Sequence, residues 1–206
     1  MSYALLLKPD SPQARVHRSS SDTRSLLSLN YSLPKCSFIQ LKQTGAIREY
    51  GRSNLLYLLN QLPMELMEFW ADISGDEFPG IPKDPWFFVQ ASSGLISYLK
   101  SVVLAQTKPT ILPSKAVRSV WEAWLKLDKV SLEKFCAANF NIEIADVRTG
   151  DFKVNIGESL IVTYVINCVL DGVDFASGKV PDLFTLDFRL KMPSGKLWCA
   201  DTCYSY

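Results

Sequence analysis

The chain has 206 residues, 48% of them hydrophobic, with 22 basic and 21 acidic side chains and a net charge of +1. That much apolar material can fill a core without metal or disulfide staples. The balanced charge argues against a nucleic-acid binder, which draws on a basic excess or a clustered basic patch.

Residues 8–25, KPDSPQARVHRSSSDTRS, carry Pro, Ser and charge with few apolar side chains. Residues 1–25 are therefore expected to form a mobile Ser/Arg-rich segment ahead of a single domain over 26–206. Arg15, His17, Arg18 and Arg24 alternate there with Asp10 and Asp22, which reads as a solvated tail. The apolar run from Tyr3 to Leu7 is too short for a signal sequence and meets Lys8, Pro9 and Asp10 at once. No uninterrupted apolar run approaches the roughly 18 residues of a membrane helix, so no membrane span is expected. The cysteines are odd in number: Cys36, Cys136, Cys168, Cys199 and Cys203. They point to reduced thiols and a cytoplasmic protein.

Around Thr44-Gly45, the stretch CSFIQLKQTGAIREY alternates apolar and polar residues, predicting a β-hairpin with Phe38, Ile39 and Leu41 facing Ile47 and Tyr50. A helical middle follows over 54–140. Asn54 is a candidate N-cap for a face of Leu55, Leu58, Leu59 and Leu62, and Pro63 opens a second helix carrying Met64, Leu66, Met67, Phe69 and Trp70. Residues 74–85, SGDEFPGIPKDP, hold three prolines and two glycines and read as a loop. Residues 86–106 resume a helical pattern, which Lys108-Pro109 ends. Ser114 is a natural N-cap for a helix with Val117, Val120, Trp121, Trp124 and Leu125 on one stripe, so both tryptophans are expected in the core. The stripe continues through Leu132, Phe135 and Cys136 after a break near Asp128-Lys129, and Arg118–Glu122 and Glu122–Lys126 are spaced for ion pairs.

From about 152 the apparent period shortens to two. SLIVTYVINCVL is rich in β-branched residues, and DLFTLDFRLKM and KLWCADTCYSY alternate, with turns at Asp171-Gly172, Ser177-Gly178 and Pro193-Ser194-Gly195. These features predict an antiparallel meander over 152–206. The expected fold class is α+β: central helices packed on a C-terminal antiparallel sheet, with the N-terminal hairpin alongside.

The only histidine, His17, sits in the tail, which removes an ordinary Ser-His or Cys-His system. Cys199 and Cys203 on one strand face would lie roughly 13 Å apart, too far for one metal. No metal site or cofactor is called for, and no Gly-rich phosphate loop is present. The candidate acid/base pair is Asp187 and Asp201, placed to face each other across the Pro193–Gly195 turn. The candidate partner-binding set is Asp76, Glu77, Phe78, Ile81, Trp86 and Phe87, aromatic and aliphatic groups beside an acidic run in a Pro/Gly loop.

Within residues 105–144, Pro113, Ser114, Val117, Trp121, Leu125, Phe135, Cys136, Phe140 and Ile144 match a segment of the glycine-rich-domain-containing proteins, which the chain resembles over about a fifth of its length. The resemblance implies a helix pair and an intracellular protein, and no defined activity. Two histidines of that segment are replaced here by Glu122 and Trp124, and the glycine-rich part has no counterpart, so no polar or metal role carries over.

These features favour a non-enzymatic protein-binding module, with a bacterial immunity or antitoxin-type inhibitor as its narrower form. The expected partner is another protein, a second copy of the chain included. A small hydrolase or transferase using carboxylates or a cysteine without histidine is one alternative. A structural subunit of a larger assembly is another.

Overall fold

The computed structural model describes residues 54–106, 108–147, 156–174, 177–196 and Trp198. They all fall in one compact unit. Among the described residues the architecture is all-helical. Seven α-helices run in order: α1 Leu55–Leu59, α2 Leu66–Glu77, α3 Pro85–Ala105, α4 Lys115–Leu127, α5 Lys129–Phe140, α6 Ile156–Asp171 and α7 Asp182–Arg189. A short 3₁₀ turn, Ile144–Asp146, follows α5.

The central element is α3, against which α1, α4, α5, α6 and α7 all pack, while α2 lies on α4. Its start is set locally. Asp84 is extended, its carboxylate accepts the Phe87 N–H at 2.9 Å, and Pro85 supplies a pre-set φ in the first turn. An 18-residue window of α3 has mean hydropathy 1.3, long and apolar enough to cross a membrane by length and composition. Since 67% of that window is buried by neighbouring helices, α3 reads as a core helix.

Ser114 caps α4 as its sequence position indicates, its Oγ accepting the Val117 N–H at 3.2 Å. Asp128 ends α4 and starts α5 at once, accepting the Ser131 N–H at 3.0 Å. That residue is the break between the two apolar stripes. Trp121 and Trp124 are 3% and 1% exposed, and Trp124 packs on Phe135 of α5 with ring centroids 4.9 Å apart. Trp70 of α2 stacks on Phe87 of α3 and donates its indole N–H to Ser119 Oγ of α4 at 2.9 Å. One side chain thus ties three helices.

The expectation of a C-terminal sheet, and with it the α+β class, is overturned: SLIVTYVINCVL lies within α6 and DLFTLDFR forms α7. A β-branched apolar run is ambiguous by periodicity alone, and burial on all sides decides it. Ser159, Leu160 and every residue from Thr163 to Cys168 are buried in α6, a pattern that an amphipathic surface strand does not give. In α7 the buried set is Leu183, Phe184, Leu186 and Asp187, a helical face, whereas Phe188 points out at 67% exposure. The alternating pattern of this segment therefore fitted a helix equally well. The span 74–85 is also corrected, since α2 continues through Ser74, Gly75, Asp76 and Glu77. The predicted hairpin at 36–50 and the strand at 196–206 lie outside the described residues, apart from Lys196 and Trp198.

Several polar groups inside the bundle are paired across elements. Asn167 of α6 donates to Ser101 Oγ of α3 at 2.8 Å and accepts from Ser97 Oγ at 3.2 Å. Thr163 Oγ1 accepts the Ile111 N–H at 3.0 Å, pinning the extended segment before α4 onto α6. Such pairs fix the rotation of α6 against α3, because a turn of either helix would strand buried donors.

Candidate functional site

Residues 54–90 are rich in acid. The span holds Glu65, Glu68, Asp72, Asp76, Glu77 and Asp84 against a single basic residue of its own, Lys83, and all six carboxylate residues are exposed. Large apolar side chains emerge from the same span: Leu56 at 72%, Tyr57 at 62%, Met64 at 92%, Met67 at 36%, Trp86 at 61% and Val89 at 44% exposed. They stand on α1, the α1–α2 connection, the first turn of α2 and the first turns of α3.

The sequence-derived partner set divides across this surface. Asp76, Glu77 and Trp86 are exposed, and Phe78 is half-buried at the end of α2. Ile81 and Phe87 are core residues, 5% and 1% exposed. Glu77 pairs with Lys126 of α4, so the lysine spaced for Glu122 reaches another helix. Arg118 takes Glu122 as its spacing indicates. The exposed Leu56, Tyr57, Met64 and Met67 lay on stretches whose apolar content predicted burial, and Met67 even stands at i, i+3 spacing to the buried Trp70.

Asp187 is 2% exposed and sits on α7 rather than on a strand. Its carboxylate faces the N-terminus of α4. Oδ1 accepts from Ser114 Oγ at 2.6 Å and from the Ala116 N–H at 3.0 Å. Oδ2 accepts the Lys115 and Lys196 N–H groups, each at 3.0 Å. A carboxylate offers about four acceptor directions, and all are used. The side chain therefore completes the capping of α4, where the helix dipole also favours its charge. The donors on this carboxylate are all the protein's own. Its expected companion, Asp201, lies outside the described residues.

A cavity of about 370 Å³ opens between α3, α6 and α7. Lys100, Asp171, Asp182 and Arg189 line it with Ser93 and Ser97. Lys100 is 4% exposed, and burial holds its pKa below the ordinary 10.5. Burial raises the Asp171 carboxyl, an effect opposed by the Asp182 N–H that it accepts at 2.7 Å. None of these residues stood out from sequence motifs. One signal was available: Lys100 is the sole charged residue between Pro85 and Ala105.

Cys136 is buried, and burial pushes its thiol up to about 12. Among the described residues no group of three or more His, Cys, Asp or Glu side chains is placed to hold a metal ion. Comparison of the chain with protein families, with curated proteins and with solved structures found no match, so none supports the resemblance of residues 105–144.

Proposed function

We propose that this chain is a non-enzymatic protein-binding module that docks a basic protein surface on the face formed by residues 54–90. The observation that carries this reading is the coincidence on α1, α2 and the start of α3 of six exposed carboxylates with six exposed large apolar side chains. Protein interfaces combine apolar and aromatic anchors with a polar rim. Trp86 and Tyr57 fit the anchor role, and Glu65, Glu68 and Asp72 fit the rim. An excess of acidic groups selects a partner of opposite charge and steers its approach.

The test compares capture by the purified chain and by its variants. Trp86→Ser with Met64→Ser is expected to abolish capture of the specific partner. Val130→Ser with Phe188→Ser, which alters exposed apolar residues elsewhere, is expected to leave it intact. Capture should also weaken as ionic strength rises above about 0.15 M, as the Debye length shortens. Capture that depends on Phe188 and Val130, or that is indifferent to Trp86 and Met64, overturns the reading.

A further inference from the structure

The face on residues 54–90 has a neighbour of opposite charge. Gly80, in the connection between α2 and α3, has a φ of 81° and faces the segment that follows α7: a Cβ there would lie 3.4 Å from Pro193 Cγ. Asp76 and Asp84 stand four residues either side of Gly80, and Lys196 stands three residues beyond Pro193. The acidic and apolar span therefore adjoins the segment that carries Lys196.

A cationic cluster is built there on the capping of α4. The Lys115 and Lys196 N–H groups both donate to Asp187 Oδ2, each at 3.0 Å, so one oxygen holds the two backbones side by side. Arg118 stands on the next turn of α4, paired with Glu122. Lys196 is exposed, and its Nζ lies 5.2 Å from the centroid of the half-buried Trp198 ring. Burial holds the Lys196 ammonium below its ordinary pKa; the Asp187 carboxylate opposes that shift, and the charges of Lys115 and Arg118 add to it. Three cations thus share one patch and repel one another across it.

We propose that the docking face binds a second copy of this chain about a two-fold axis, the acidic and apolar span of each copy seated on the Lys115, Arg118 and Lys196 cluster of the other. This rests on the reading of residues 54–90 as a docking face and names its occupant. A two-fold contact needs a self-complementary surface, and a patch whose acidic half adjoins a basic half meets that need, with each pairing made twice. Asp72 and Asp76 are exposed carboxylates for the opposite cations. The exposed Tyr57 and Trp86 rings offer faces to Lys and Arg side chains, whose stems also cover apolar surface. The net charge of +1 leaves little repulsion between whole molecules to oppose self-association.

The experiment measures the mass of the full chain by light scattering at about 100 µM, where micromolar self-association is complete or nearly so. The expected mass is twice that of the 23.2 kDa chain. Lys115→Glu with Lys196→Glu should give a monomer, and so should Asp72→Lys with Asp76→Lys. An equimolar mixture of these two variants should recover the doubled mass, because each reversed half then meets its complement; misfolded variants would not do so. Trp86→Ser with Met64→Ser, at exposed positions, should also give a monomer and serves as the deciding arm if a charge-reversed variant fails to fold. A wild-type monomer, a species larger than a dimer, a dimer that survives these substitutions, or folded charge-reversed variants that stay monomeric when mixed would each overturn the proposal. A wild-type monomer that still captures a different protein through Trp86 and Met64 would overturn the pairing of copies and keep the docking face. A dimer indifferent to Trp86 and Met64, with no other capture through them, would overturn both.

Discussion

Asp187 ties distant parts of this fold together through one carboxylate. It joins α7 to the first turn of α4 and to the backbone at Lys196, with every acceptor direction filled. Removing it leaves a hydroxyl and three N–H groups without their acceptor in a buried site, and Asp187→Ala is expected to cost about 3–5 kcal/mol in urea unfolding. A loss under about 1 kcal/mol would show that the cap is dispensable. Gly195 belongs to the same lock, since a Cβ there would lie 2.8 Å from the Met192 carbonyl oxygen and 2.9 Å from Asp187 Cβ. The two buried indoles behave differently. Trp70 donates to Ser119, whereas Trp124 Nε1 is buried without a hydrogen-bond partner. Trp70→Phe should therefore be more destabilising than Trp124→Phe by about 1 kcal/mol, and the reverse order would contradict the hydrogen bonding described. Cys136, raised to about 12 by burial, is expected to resist alkylation in the native protein and to react once unfolded, as peptide-resolved mass spectrometry would report. At this scale the sequence was legible where the signal is local. The cap Ser114, the break near Asp128-Lys129 and the buried pair Trp121 and Trp124 follow from spacing. The partner of Asp187 lies 73 residues earlier, and nothing in the local pattern points to it.

Among the elements, α3 shows how close packing is built into a helix. A Cβ on Gly94 would come within 2.6 Å of Leu186 Cδ2 and 2.7 Å of Val117 Cγ2, both on buried side chains. Gly94→Ala gains about 1 kcal/mol of helix propensity but loses about 1–3 kcal/mol to overpacking. The net expectation is destabilisation of about 1 kcal/mol, with Gly94→Val clearly worse. A stabilised Gly94→Ala would mean that α3, α4 and α7 are less tightly packed than described. Lys100 gives α3 a pH dependence. Its folded pKa lies below the ordinary value of 10.5 through desolvation. At pH below the folded pKa both folded and unfolded chains hold the proton, and the burial penalty is fully present. Between the folded pKa and 10.5 the unfolded chain binds more protons, so stability rises with pH. Wild type should accordingly gain on Lys100→Met between neutral pH and 10.5, measured by urea unfolding, whereas a pH-independent difference would contradict it. The element type of α6 was misread because a β-branched apolar run does not by itself separate a buried strand from a buried helix, and that of α7 because its alternation fits a helical face equally well. In α6 the surrounding helices supply burial on every side, and tertiary packing overrides local propensity.

As a whole molecule, the described part is a bundle that buries α3 and leaves charge and apolar groups together on residues 54–90. Composition foretold the apolar core, and the acidic run was visible at Glu65 to Glu77. Its neighbours were sorted less well, because Ile81 and Phe87 pack inward while Tyr57 and Met64 turn out; outward facing follows from how short helices dock, which periodicity over a few residues does not fix. The cavity at Lys100 needs three helices brought together and had one trace in the sequence, a lone charge in an apolar helix. The central claim is that residues 54–90 are the docking face. Amide hydrogen exchange in the presence and absence of the captured partner tests it most directly. The expected result is slowed exchange in α1, α2 and the first turns of α3 on binding, with α5 and α7 unchanged. Protection confined to α5 or α7, with residues 54–90 unaffected, would contradict it.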